Sequence, residues 1–251
     1  MKVLVVGDAC KDTYVYGKSS RMAPEAPVPV FVEQYSKSNG GMALNVLNNI
    51  KALGLECDIL YNKEEIEKTR YVDAATNHLF IRIDSKEDKI SRIENKYVTK
   101  DYLLQYDAVI ISDYNKGFLL KEDIEKICYY HPLTFMDTKK KLGRWADNCK
   151  WIKINESEYE KTKSEIEDRM YIFEKSLIVT LGSRGCRYKD KVYPVEKVEI
   201  KDLVGAGDTF LSSYVVKFLE TKDVDKSLKF ANDCATIVVQ KKGIAIIGEN
   251  K

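Results

Sequence analysis

Histidine is nearly absent: His78 and His131 are the only two in the chain. The six cysteines, Cys10, Cys57, Cys128, Cys149, Cys186 and Cys234, form no C-x-x-C pair, so the ligand spacing of a structural zinc site is absent. Scattered thiols of this kind suit a reducing compartment. Net charge is small, with 41 Lys and Arg against 39 Asp and Glu, which gives no general electrostatic case for nucleic acid. One local exception, Lys139-Lys140-Lys141, reads as a solvated loop. Long apolar runs are missing too. The first, Val3-Leu4-Val5-Val6, is too short for a signal peptide or a membrane span, which places the protein in the cytoplasm without a membrane partner. Of only five prolines, three (Pro24, Pro27, Pro29) fall within residues 21–33. Proline fixes φ and removes a ladder donor, so that segment is predicted to be an exposed, extended edge.

What is present is a series of short apolar runs that end in polar residues. Val3–Val6 ends in Gly7-Asp8, Ala108–Ile111 in Ser112-Asp113, Leu133–Met136 in Asp137, Trp151–Ile154 in Asn155, and Leu177–Leu181 in Gly182. Helical periodicity separates them, the signature of β-α-β units with right-handed crossovers. A doubly wound α/β domain follows, with ligands expected at the carboxyl ends of its strands. The alternation over Leu79–Asp84, together with the Pro-rich segment, predicts a second, smaller sheet.

The most informative stretch is Asp202-Leu203-Val204-Gly205-Ala206-Gly207-Asp208. Val195, Val198 and Ile200 read as a strand before it, and Phe210, Tyr214 and Phe218 recur at helical spacing after it. Glycines at a strand-to-helix junction let backbone N–H groups converge on an anion, aided by the helix N-terminus. A carboxylate beside a phosphate makes chemical sense as a base for an attacking hydroxyl. The same residues also suit an ordinary turn with Asp208 as a cap. Asp8 and Asp12 fit sugar hydroxyls or turn capping. Gly40-Gly41 before a helix allows close approach of a ligand, with Asn45 one turn in. Asn155 and Glu158 stand one turn apart at a helix start, where Glu158 fits either a Mg²⁺–water shell or the helix dipole.

In order and spacing, Gly7-Asp8, Gly40-Gly41 with Asn45, Asn155-x-x-Glu158, Thr180-x-Gly182-x-x-Gly185 and Gly205-Ala206-Gly207-Asp208 resemble the ribokinase or PfkB family of carbohydrate kinases over nearly the whole chain. Ser20–Val30, Lys68-Thr69-Arg70 with Leu79–Asp84, and Ser112-Asp113-Tyr114-x-Lys116-Gly117 resemble the branch acting on D-glycero-β-D-manno-heptose 7-phosphate. The resemblance implies a ribokinase-like, mostly parallel sheet in one domain over residues 1–251, with a small β lid from about 13–36 and 68–85. It implies an ATP-dependent kinase that phosphorylates the anomeric hydroxyl of the heptose 7-phosphate.

Carried over by position, Asp208 would be the base, and Gly205, Ala206 and Gly207 would stabilise the transferred phosphoryl group. Asp8, Asp12, Gly40, Gly41 and Asn45 would hold the sugar, and Arg21, Arg82 and Lys116 its phosphate. Asn155, Glu158, Thr180, Gly182, Gly185, Asn232 and Gly243 would take ATP, with Mg²⁺ held indirectly by Glu158 through water. A monovalent cation such as K⁺ is a further candidate, and the lid would make a homodimer. A separate nucleotidyltransferase would then be needed to reach ADP-heptose. The chain departs from the family after Leu60, where only Tyr61–Glu67 replaces a β-α-β unit of about 30 residues. That departure keeps open a kinase for another sugar or sugar phosphate, and a non-catalytic sensor of sugar phosphates or nucleotides descended from such a kinase is a separate alternative.

Overall fold

Runs that are apolar on both faces become the central strands, because only a sheet covered on both sides buries them. In the computed structural model, which describes residues 1–87, 89–243 and 245–248, β1 (Lys2–Gly7) is flanked by β4 (Glu56–Tyr61) and β7 (Ala108–Asp113), both parallel to it. β8 (Thr134–Thr138), β9 (Trp151–Asn155) and β10 (Leu177–Thr180) continue the parallel array. A short antiparallel hairpin, β11 (Cys186–Tyr188) and β12 (Lys191–Tyr193), closes that edge, giving the order β12-β11-β10-β9-β8-β7-β1-β4.

Helices α1 (Ala43–Ala52), α6 (Ala206–Thr221) and α7 (Val224–Val238) cover one face, with Ile50, Tyr214 and Leu228 in its core. The other face is covered by α2 (Lys100–Leu103), α3 (Lys121–Tyr130), α4 (Glu156–Thr162) and α5 (Met170–Phe173), through residues such as Leu103, Ile124 and Phe173. This is the doubly wound architecture predicted from the strand pattern.

A second sheet has the order β3-β2-β5-β6, from β2 (Ala9–Met22), β3 (Pro29–Met42), β5 (Ile66–Asp73) and β6 (Leu79–Ser85). As expected of a proline-containing segment, β3 lies at an edge. The sequence departure after Leu60 has a simple structural form. β4 is the outermost strand of the main sheet, and only residues 62–65 lead from it into β5. The buried Asn62 fastens this link: its side chain accepts from the Ala9 amide (2.7 Å) and donates to the carbonyls of Ala9 (3.1 Å) and Glu64 (2.6 Å).

One predicted strand is not formed. Residues 194–200 have no ladder partner, and the chain after them is tied to α7 by the Lys201 and Asp202 amides, which donate to the Val239 carbonyl at 2.8 and 3.2 Å. The apolar pattern of Val195, Val198 and Ile200 therefore reflects a cavity wall and not a sheet.

Candidate active site

The strand ends converge on Asp208. Gly205 caps α6 with a left-handed backbone (φ 83°), a conformation glycine adopts without a Cβ penalty, and so starts the helix at Ala206. Asp208 then lies in the first helical turn, buried. Two donors from separate elements hold its carboxylate: Asn45 Nδ2 from α1 at 2.9 Å and the Tyr114 hydroxyl, from the turn after β7, at 2.8 Å. Burial raises the Asp208 pKa above the usual carboxylate value and nearby Asp137 adds to this, while the donors Asn45 and Tyr114 and the charge of Lys153 oppose it. The Tyr114 hydroxyl is itself pushed well up by burial and by the Asp208 charge, so it acts as a donor.

Asp8 follows β1 directly, and its carboxylate accepts from three backbone amides: Tyr114 (2.8 Å), Lys116 (3.2 Å) and Phe118 (3.3 Å). It thus clasps the turn that delivers Tyr114. Asp113 fixes the other side of that turn, accepting from Lys140 Nζ and Thr138 Oγ1 at 2.5 Å each. Asp12 is paired with Arg70, both buried, and the guanidinium lies over the Tyr14 ring. Gly40 and Gly41 end β3 just before α1; a Cβ on Gly41 would come 2.7 Å from Cys10 Sγ and 3.1 Å from Asp12 Oδ2, so the backbone there has no spare room.

A cavity of about 680 Å³ opens on the other side of the Gly205–Gly207 turn. Asn155, Thr180, Gly182, Gly185, Asn232, Ala206 and Gly207 line it, so most of the residues predicted for the nucleotide share one space. Gly243 is placed differently: its amide donates to Asp202 Oδ2 at 3.2 Å, and it does not line the cavity. Asn155 and Glu158 form a reciprocal cap of α4, with both bonds at 2.8 Å. The second Glu158 oxygen accepts from Lys139 Nζ at 2.5 Å.

The lysine run is not the solvated loop predicted for it. Lys139 lines the cavity between Glu158 and Asp137, 5.3 Å from the Tyr114 ring centroid, and Lys140 buries its ammonium against Asp113. Lys141 is exposed, in a surface pair with Glu165, and Lys139 keeps about 33% of its side chain open to solvent although it lines the cavity. Burial pulls the Lys139 pKa down, but the carboxylates of Asp137 and Glu158 outweigh it and leave the pKa raised.

Arg21 is not brought to the site. It is exposed at the far end of β2, nine residues beyond Asp12, about 30 Å along an extended strand. Arg82 pairs with Asp84 and Lys116 with Glu87, in the neighbourhood of Lys68, a residue not predicted from sequence. Lys68 lies 5.6 Å from the Tyr114 ring centroid, and no carboxylate pairs with it among the described residues. Its pKa is lowered by burial, and Lys116 and Arg82 push it the same way, as expected for a cation short of anions.

For a divalent cation, the described residues hold no cluster of three or more acidic, His or Cys side chains. The available acceptor is Asp137 Oδ1, buried and without a hydrogen-bond partner. That fits a cation carried mainly by its phosphate ligand, with the protein reaching its water shell.

Comparison with known proteins places this geometry in context. The model of the family described as pfkB family carbohydrate kinase matches residues 70–250. The bifunctional protein HldE of Helicobacter pylori (strain J99) is 30% identical over 98% of this chain, which spans 64% of that relative's length. The alignment runs over 296 positions, more than the 251 residues here, so the relative carries residues with no counterpart in this chain. Among solved structures, a nucleoside kinase of the ribokinase family from Methanocaldococcus jannaschii superimposes with a TM-score of 0.70 at 17% identity, covering 97% of this chain and 93% of its own. Arabidopsis thaliana ribokinase complexed with ribose and ATP gives 0.66 at 15% identity, with 96% and 93% covered.

Proposed function

The chain belongs to the pfkB family of carbohydrate kinases, and from that premise we propose that it transfers the γ-phosphoryl group of ATP to the anomeric hydroxyl of D-glycero-β-D-manno-heptose 7-phosphate. The observation that carries the chemistry is the buried Asp208 carboxylate at the start of α6, between the nucleotide-sized cavity and the second sheet. Asp208 takes the proton of the acceptor hydroxyl as its oxygen forms the new O–P bond. The bond from the γ-phosphorus to the bridging oxygen breaks and ADP leaves. The amides of Gly205, Ala206 and Gly207 meet the charge on the moving group. Mg²⁺ would supply charge neutralisation on the phosphates, and Asp137, which lines the cavity, with Glu158 on α4 would hold it through water.

The heptose 7-phosphate assignment rests on the sequence resemblance and on the Lys68, Arg82 and Lys116 neighbourhood beside Tyr114, which suits an acceptor with a phosphate of its own. Measuring ADP release with heptose 7-phosphate, ribose, fructose and fructose 6-phosphate tests it. Heptose 7-phosphate is expected to be the best acceptor, and turnover confined to another sugar would overturn the assignment. The second reading, a different sugar, draws on the cavity of about 390 Å³ between Gly40 and the short 62–65 link, which reshapes that side of the acceptor region.

Ionised Asp208 is the active form, so turnover rises with pH through its pKa, which lies above the ordinary Asp value. Tyr114→Phe removes a donor that favours the carboxylate, so the acidic limb of the kcat/KM profile is expected to move further up in pH. An unmoved limb would show that this hydrogen bond does not tune the base.

We also infer a homodimer through the second sheet, whose Val32, Leu79, Ile81 and Ile83 are about half exposed. Sedimentation velocity should give twice the chain mass for the wild type and the single mass for Ile81→Glu. A monomeric wild type at micromolar concentration rules the dimer out.

A further inference from the structure

The row of side chains that β8 and β9 point toward α6 is aromatic until its last step. Phe135 and Trp151 pack on Tyr214 and Phe218, and two residues further along the same face stand Asp137 and Lys153, which are register partners on adjacent parallel strands. Their side chains meet at 2.6 Å, and both residues are almost fully buried, at 3% and 4% exposure. A buried ion pair is a poor stabilising device, because apolar residues of the same volume usually do as well or better. This pair is also incompletely satisfied. Asp137 Oδ1 has no hydrogen-bond partner, and Asp137 Oδ2 is the only acceptor for Lys153 Nζ among the described residues, so two of the ammonium's three N–H bonds are uncommitted.

The location gives the pair a use. A Cβ built on Gly207 would come 2.9 Å from Lys153 Nζ, so the ammonium lies against the backbone of the Gly205–Gly207 turn, and both Asp137 and Lys153 line the 680 Å³ cavity. Of the other two cavity lysines, Lys139 is already bonded to Glu158, and Lys197 belongs to the 194–200 wall and not to the strand ends. We infer that Lys153 is a catalytic residue whose ammonium contacts the phosphoryl group in flight, opposite the backbone amides of the turn, and that Asp137 is the positioning residue that aims it. The inference rests on the phosphotransferase reading above. Lys153 takes no part in the proton transfer: the proton of the acceptor goes to Asp208, and the electron pair of the broken P–O bond leaves with ADP.

Three variants test it: Lys153→Met, Lys153→Arg and the double Asp137→Asn/Lys153→Met. The double variant is needed because removing Lys153 alone leaves the buried Asp137 charge facing only Lys139, 3.8 Å away, and threatens folding. Thermal unfolding confirms which variants are folded, and acceptor-saturated kcat and the affinities for ADP and a non-hydrolysable ATP analogue are then measured. A cation that meets the transferring group is worth roughly 10²–10³-fold in kcat, comparable to one oxyanion-hole donor. Lys153→Met and the double variant are expected to lose that much while keeping ADP affinity within about threefold, and to lose roughly tenfold in affinity for the ATP analogue (about 1.4 kcal/mol, one decade). Lys153→Arg should recover part of the rate. If Lys153 serves only to neutralise Asp137, the double variant returns kcat and analogue affinity to within about threefold of wild type, and the inference is overturned. A wild type that transfers phosphate to no acceptor would instead count against the kinase reading, and the analogue-to-ADP affinity ratio in the double variant still decides the role of Lys153.

Discussion

Asp208→Asn is expected to lower kcat by roughly 10²–10⁴-fold, the contribution typical of a single general base, while ATP binding stays within a few-fold of wild type. The substitution keeps the size of the side chain and an oxygen that can accept from Asn45 or Tyr114, the two donors seen in the structure. What it removes is the ability to take a proton. It also removes a buried negative charge whose pKa is raised by burial, so stability should hold or rise near neutral pH. The informative outcome is this separation of turnover from binding and folding. Near-normal kcat in the variant would refute the base assignment; the other sequence reading, Asp208 as a helix cap, is already set aside, because Gly205 is the cap residue and the Asp208 carboxylate accepts from Asn45 and Tyr114.

The second large effect is expected at Asp8, and its character distinguishes two roles. The sequence suggested a ligand for sugar hydroxyls. The structure spends the carboxylate on the amides of Tyr114, Lys116 and Phe118. Asp8→Ala would leave three amides without their acceptor, each worth about 1–3 kcal/mol when buried, and partial hydration should bring the sum to about 3 kcal/mol. For a chain of this size that is a fall of about 10 °C in Tm. Because the same turn carries Tyr114, kcat should fall as well. A variant with unchanged Tm and a raised KM for the acceptor would mean that Asp8 binds sugar directly.

The extent to which this molecule was legible in its sequence depended on whether a signal was local. Central strands were visible because a run such as Ala108–Ile111 has only one environment that suits it, a sheet buried on both faces. The Gly205–Asp208 turn was visible because its glycines and carboxylate are contiguous. Tyr114 and Asp137 were visible only as members of a turn motif and of the strand-end series, with no role attached, and Lys153 was not visible at all. A lysine within Trp151-Ile152-Lys153-Ile154 acquires meaning only from its register with Asp137 on the next strand and from the turn that crosses above it, both set by tertiary pairing. The one available hint was a charge inside an otherwise apolar strand. Composition misled at Lys139-Lys140-Lys141, since three adjacent lysines look solvated until separate carboxylates, the part-buried Glu158 and the buried Asp113, are found for two of them. Residues 195–200 misled in the opposite way, because an apolar pattern can wall a cavity as easily as it can join a ladder.

The short link at Asn62 has a mechanical consequence. The chain passes between the two sheets four times, and three of the passages are nearly without slack: Asp8 alone separates β1 from β2, β3 runs into α1 at Met42 with φ 59°, and residues 62–65 join β4 to β5 under the grip of Asn62, whereas the return from β6 to β7 takes residues 86–107. The Ala43 amide, donating to the Asp8 carbonyl at 2.9 Å, ties the first two passages together. Three such short passages on one side resist sliding of the second sheet more than they resist a swing about them. Any opening that admits substrate should therefore be a small-angle swing whose axis runs past Asp8, Met42 and Asn62, and whose far end, at the tips of β2 and β3, travels the greatest distance.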